Sequence, residues 1–143
     1  MKPFTLSWQF WALLSATFAA LTAIFAKLGV DNVNPDFATF LRTIVVLMSL
    51  TLILTLFGEW QGLRDISPKS YLFLILSGLG TGASWLCYFR AMKLGDASRV
   101  APIDKLSIVL VALISVAFLG EKLSGLNWLG VALITAGAIL LAI

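Results

Sequence analysis

The sequence contains one cysteine and no histidine, and these near-absences exclude most metal and nucleophile chemistry. Cys87 has no second cysteine with which to form an internal disulfide. Without histidine, Cys/His zinc sites, haem attachment and Ser–His or Cys–His nucleophile pairs lack their components. The sequence therefore predicts a protein that is not an enzyme and that uses no metal and no cofactor.

Charge is scarce as well. Of 143 residues, 12% are charged and 60% are hydrophobic, which leaves too little polar surface to cover a water-soluble globule of this size. The net charge of +3 comes from scattered basic residues that form no stripe, so nucleic acid is not an expected partner. The glycines of Gly78–Gly82 lie within an apolar run and do not form a phosphate-binding loop. The expected environment is the lipid bilayer.

Several apolar runs approach the ~20 residues that a transmembrane helix requires. We expect five transmembrane helices over about 8–30, 37–57, 71–92, 100–119 and 126–143, forming a single all-α integral membrane domain over 1–143. The first run is longer than the roughly 7–15 apolar residues of a signal peptide and has no Ala-x-Ala cleavage site, so we expect it to be retained.

Two adjacent charges interrupt the fourth run. A charge at the centre of a bilayer costs roughly 2.5–3.5 kcal/mol on insertion scales, so Asp104 and Lys105 are expected to face other helices or a water-filled pathway. Asp104 is the acid placed well inside a span, which makes it the candidate coupling carboxylate. Successive helical residues point about 100° apart, so the two charges are expected to have different partners.

Further pathway candidates lie in the second and third runs. Arg42, near the start of the second, could line a pathway or form a structural ion pair. Trp85 and Tyr88 lie on a stripe that could stack against a planar or cationic guest or simply pack in the protein. Because helix direction alternates, one leaflet receives the charges of these spans: Lys27, Arg42, Arg90, Asp104 and Lys105. Such a group favours anions or zwitterions, unless neighbouring aspartates neutralise the bases.

Small residues predict where helices pack. Gly78 and Gly82 form a Gly-x-x-x-Gly pair, and Gly130 and Gly137 lie in the uncharged fifth run. Loop charges are nearly balanced between the two sides: Lys2, Arg64, Lys69 and Lys122 lie on one, and Lys93 and Arg99 lie on the other together with Lys27 or Arg90, if either is counted with the loops. Weak bias is what a chain inserted in both orientations would show, which leads to the hypothesis of an antiparallel homodimer with dual topology.

Three segments together resemble a known family. They are 88–103, the turn 119–124 (Leu-Gly-Glu-Lys-Leu-Ser) and 128–137, and they are similar to the EamA domain of the drug/metabolite transporter superfamily, in its single-domain, five-helix bacterial and archaeal form. The resemblance implies a multi-pass protein of a prokaryotic inner (plasma) membrane that moves small metabolites, with the first four helices lining the pathway. Many members carry a proline near the middle of the fourth helix; residues 107–110 contain none.

The functional hypothesis is a secondary transporter of small metabolites or drugs that works by alternating access as a homodimer, with Asp104 coupling flux to protons or substrate. A non-transporting membrane assembly or interaction subunit is the alternative, because Gly78, Gly82 and the fifth helix would serve it equally well. An integral-membrane enzyme acting on lipid-linked substrates is the third possibility, and it lacks a metal or nucleophile constellation.

Overall fold

The computed structural model describes residues 7–143, and its helices confirm the predicted all-α membrane fold. The elements are α1 (Trp8–Val30), α2 (Pro35–Phe57), a 3₁₀ turn (Leu63–Asp65), α3 (Pro68–Leu94), α4 (Ala97–Asp104), α5 (Ser107–Phe118) and α6 (Gly125–Ala142). Within these described residues, five segments are long and apolar enough to cross a membrane, with α4 and α5 together forming the fourth, Ala97–Phe118. Lys2, one of the predicted loop charges, and the first six residues of the predicted domain lie outside the described residues.

Helices α2 and α3 begin earlier than predicted, each at a proline. Pro35 follows Asn34, whose side chain accepts hydrogen bonds from the backbone N–H groups of Asp36 (2.9 Å) and Phe37 (3.2 Å). Pro68 follows Ser67, whose hydroxyl accepts from the backbone N–H of Ser70 at 3.1 Å. Proline suits the first helical position because the N–H that it lacks would have no partner inside the helix. The prolines therefore start these helices rather than delay them.

The fourth span is interrupted, which corrects the continuous helix predicted over 100–119. The N–H groups of Lys105, Leu106 and Ile108 each donate to the carbonyl three residues earlier, at 3.0–3.1 Å. Such i→i−3 bonds tighten the chain into a 3₁₀-type turn between α4 and α5. Pro102 was expected in the first turn of its helix, but α4 begins at Ala97, so Pro102 lies inside it.

Hydroxyl groups within the spans are satisfied by their own helices. In α2 the side chains of Thr43, Ser49 and Thr55 donate to the carbonyl four residues earlier at 2.7–2.8 Å, and Thr135 in α6 does the same at 2.8 Å. A lone hydroxyl can therefore lie in an apolar span at little cost. A charged side chain cannot be satisfied by a carbonyl of its own helix in this way, so it needs a partner from elsewhere in the structure. The identity of that partner is therefore informative about function.

The chain divides into two compact units, each described by itself. Unit 1 comprises α1 as far as Lys27 together with Leu94–Ile143, and in it α6 packs against both α4 and α5. Unit 2 is Leu28–Lys93 and contains α2 and most of α3. Large apolar side chains on these helices are mostly exposed, for example Leu56 at 72% and Leu140 at 73%. Surfaces of this kind suit contact with lipid.

Candidate functional site

In unit 2, polar contacts join the start of α2 to the end of α3. The guanidinium of Arg90 donates to both carboxylate oxygens of Asp36, from Nε to Oδ1 at 2.9 Å and from Nη2 to Oδ2 at 2.7 Å. One turn further along α3, Nζ of Lys93 donates to the carbonyl of Val33 at 2.7 Å. Arg90 was a predicted pathway residue, and the structure shows it neutralised by a bidentate ion pair.

Arg42 lies deeper along the same two helices and is stabilised differently. Its guanidinium carbon is 3.4 Å from the centroid of the Trp85 ring and 5.7 Å from that of Phe89. Both ion pairs found within residues 7–143 involve other basic residues, so Arg42 contacts two aromatic rings and pairs with no carboxylate there. Its Nη1 is buried and, in the described part of the chain, has no hydrogen-bond partner.

A simple helical count gives the depth of this cation. Arg42 is seven residues beyond Pro35, so it lies about 10 Å along α2 from its first residue at a rise of ~1.5 Å per residue. Asp36, by contrast, lies in the first turn. The ion pair is therefore at the end of the two helices, whereas the stacked guanidinium lies well inside the span.

In unit 1, the predicted carboxylate lies at the interruption of the fourth span. Asp104 is the last residue of α4, and its Oδ2 is 3.1 Å from Nζ of Lys105. The expectation that these neighbours need different partners was wrong, because a tight turn lets the flexible lysine side chain fold back onto the adjacent carboxylate. The pair is not enclosed: the side chains are 54% exposed for Lys105 and 34% for Asp104.

Lys27, at the end of α1, contacts the turn that precedes α4. Its Nζ donates to the carbonyl of Gly95 at 2.8 Å. Both residues belong to unit 1. The expectation that the end of the first span and the start of the fourth lie on one side of the membrane agrees with this contact.

The remaining predicted residues are placed as follows. Tyr88 is half-buried in α3, three residues after Trp85. A Cβ added to Gly78, Gly82, Gly130 or Gly137 would have no atom within 4 Å among the described residues, so a single chain does not need these glycines for close helix packing. Their role in packing against a second copy stays a prediction.

Sequence reasoning missed Phe89, which is 4% exposed and forms the second ring beside Arg42. Its position could have been found, since Phe89 is four residues after Trp85 and so lies on the same face of α3. The sequence did not predict the pairing of Arg90 with Asp36 either. It indicated only that neighbouring aspartates could neutralise the basic residues.

The five apolar spans found within residues 7–143 define a multi-pass integral membrane protein. The chain belongs to the EamA-like transporter family, which it matches over residues 6–143. The predicted family resemblance is therefore confirmed.

Individual relatives agree with this assignment. The chain is 65% identical over 137 residues to a Sinorhizobium protein named "Uncharacterized transporter in cobO 3'region", covering 96% of this chain and 97% of that one. It is 28% identical over 131 residues to an uncharacterized protein of Methanocaldococcus jannaschii, covering 92% and 93%. It is 27% identical over 128 residues to the Bacillus subtilis "Uncharacterized transporter YxxF", covering 89% of this chain but 40% of that protein. No solved structure matches the chain.

Proposed function

We propose that the protein is a secondary transporter of small metabolites or drugs in the inner membrane of a prokaryote, and that it is not an enzyme. Family membership and the names of two relatives support transport in general. The observation that carries the proposal for this chain is the fourth span, which is interrupted where it bears Asp104 and Lys105. Interrupted spans with polar groups at the break are how many secondary transporters form substrate and ion sites.

The proposed mechanism is alternating access by a homodimer. Five spans per chain are few for enclosing a pathway, and two antiparallel copies would supply the inverted repeats that many transporters build within one chain. Open space beside Gly130 and Gly137 of α6 supports the proposal by offering a face that a second copy could approach. A reporter at the C-terminus that is active on only one side of the membrane would contradict the antiparallel arrangement.

Asp104 is the proposed coupling residue. A carboxylate that borders a pathway can take up a proton on one side and release it on the other, and Lys105 beside it provides an alternative partner for the anion. We expect Asp104→Asn to abolish solute flux driven by a pH gradient in proteoliposomes, because the amide cannot carry a proton. Glu59→Gln, a carboxylate change in the loop after α2, should leave the flux unchanged.

The flux assay needs a solute, and a panel of radiolabelled metabolites screened first with the wild-type protein would supply one. Full pH-driven flux in Asp104→Asn would remove Asp104 from the mechanism. A wild-type protein that moves nothing in the panel but co-purifies with a stoichiometric membrane partner would favour the alternative of a non-transporting assembly subunit.

A further inference from the structure

The feature that points beyond a general transporter is the guanidinium of Arg42. Within residues 7–143 its Nη1 is buried without a hydrogen-bond partner, while the guanidinium carbon lies over the Trp85 ring, 3.4 Å from its centroid. A guanidinium carries its five N–H donors in the plane of the group, so stacking on a ring engages its face and leaves the donors at its edge. Nη1 therefore lacks an acceptor among the described residues, and a ligand that reached the edge of the group would supply one.

The surrounding charges set what that acceptor can be. Asp36 is already engaged by Arg90 through two hydrogen bonds, and Lys93 donates to a backbone carbonyl. Arg42 thus contributes one positive charge that no carboxylate in the described part of unit 2 offsets. A ligand with a single negative charge would balance it, whereas a dianion would bring one charge too many into an apolar span.

The shape of a carboxylate matches the donor pattern. Its two oxygens accept the parallel pair of N–H groups that the edge of a guanidinium presents, and such charge-assisted pairs are among the stronger hydrogen bonds in proteins. A neutral amide of the same size has one acceptor oxygen and would leave the positive charge unbalanced. Arg42 should therefore distinguish an acid from its amide.

The same face of α3 offers space for the rest of such a ligand. Gly82 and Gly78 precede Trp85 by three and seven residues, a spacing that places all three on one face of the helix. A Cβ at either glycine would meet nothing within 4 Å among the described residues. This open space lies along the face of α3 that carries Trp85, and its apolar border suits an apolar body.

We propose that Arg42, stacked on Trp85 and Phe89, is the head-group subsite for an organic monocarboxylate whose apolar body lies along Gly78 and Gly82 of α3. This substrate class rests on the proposed transport function, because the proposal assumes that α2 and α3 line the solute pathway. The subsite itself is a binding property and can be measured without flux.

Binding of four compounds with the same benzene ring tests the head group: benzoate, benzamide, benzylammonium and phenyl phosphate. Each is titrated by isothermal calorimetry into the full-length protein in lipid nanodiscs. We expect benzoate to bind at least tenfold more tightly than benzamide or benzylammonium, and more tightly than phenyl phosphate. Equal binding of benzoate and benzamide, tighter binding of phenyl phosphate, or no benzoate binding would each overturn the proposal.

Two variants and one control locate the subsite. Arg42→Gln should remove the preference for benzoate over benzamide. Gly82→Leu should weaken the binding of both compounds, because the leucine side chain would fill the space for the benzene ring. Arg64 is an exposed arginine in the 3₁₀ turn outside the spans, and Arg64→Gln should change neither the preference for benzoate nor the affinity for either compound. A preference that survives in Arg42→Gln would show that the acid binds elsewhere.

The result separates this proposal from the transport proposal. Selective, Arg42-dependent benzoate binding by a protein that moves no solute in proteoliposomes would keep the subsite and remove the transporter. Flux of a neutral or cationic solute by a protein that does not prefer benzoate would keep the transporter and remove the subsite. The acid–amide comparison uses the wild-type protein, so it decides the proposal even if Arg42→Gln fails to fold.

Discussion

The two units of the chain stabilise charge inside apolar spans in different ways. In unit 1, Asp104 and Lys105 are sequence neighbours and form an ion pair with no net charge at an interruption of the helix. In unit 2, Arg42 has an aromatic ring as its partner and keeps its positive charge, while the nearest ion pair is formed by other residues nearer the helix ends. The ion pair leaves no net charge for a solute to balance, whereas the guanidinium over the ring leaves one positive charge.

The difference predicts unequal coupling energies, and the Arg42–Trp85 contact should give the larger one. A double-mutant cycle of Arg42→Gln and Trp85→Leu is expected to show about 1–2 kcal/mol of coupling, because a desolvated cation–π contact is worth that much. Unfolding in mixed detergent micelles measures each free energy. Additive effects of the two changes would mean that the ring does not stabilise the guanidinium.

The neighbouring ion pair in unit 1 should give a smaller value. A cycle of Asp104→Asn and Lys105→Gln is expected to show about 0.2–1 kcal/mol, the range for ion pairs that are accessible to water. The same unfolding assay applies. A coupling energy above that of Arg42 with Trp85 would indicate that the pair is shielded from water, and it would reverse the comparison.

An effect no larger than that of the ion pair is expected at the glycines of α3, which tests whether the face of α3 that carries Gly78 and Gly82 is open. Gly78→Ala and Gly82→Ala should each raise the free energy of unfolding of the monomer by up to about 1 kcal/mol, because alanine favours a helix and its Cβ meets no neighbouring atom. Thermal unfolding in detergent checks this. Destabilisation by either alanine would place a tightly packed neighbour against this face.

Much of the fold follows from the sequence because lipid imposes a simple rule. Apolar runs in a bilayer must form helices that satisfy their own backbone groups, so α1 is predicted to the residue and the other spans to within a few residues. The starts of α2 and α3 differ because proline was interpreted as ending the turn before each helix, whereas Pro35 and Pro68 occupy first helical positions.

The site was harder to predict, since partners depend on tertiary contacts. Charge or position in the sequence identified Asp104, Arg42, Arg90 and Trp85 as unusual residues for a span, and the structure shows all four in polar or aromatic contacts within their own units. It could not assign Asp36 to Arg90, because the two are 54 residues apart in the chain. Nor could it foresee the turn after Asp104, because residues 105–110 contain neither glycine nor proline.

The central claim is that charged side chains in these spans border water rather than lipid, and thiol accessibility tests it most directly. In a protein whose native thiol is removed by Cys87→Ala, Ser107→Cys places a near-isosteric thiol next to the turn that follows Asp104, and Leu133→Cys places one on an exposed apolar face of α6. A small membrane-impermeant methanethiosulfonate reagent should label the cysteine at position 107 and spare the one at 133 in intact membranes. Equal protection of both thiols, with full labelling of both after denaturation, would contradict a water-filled pathway at the fourth span.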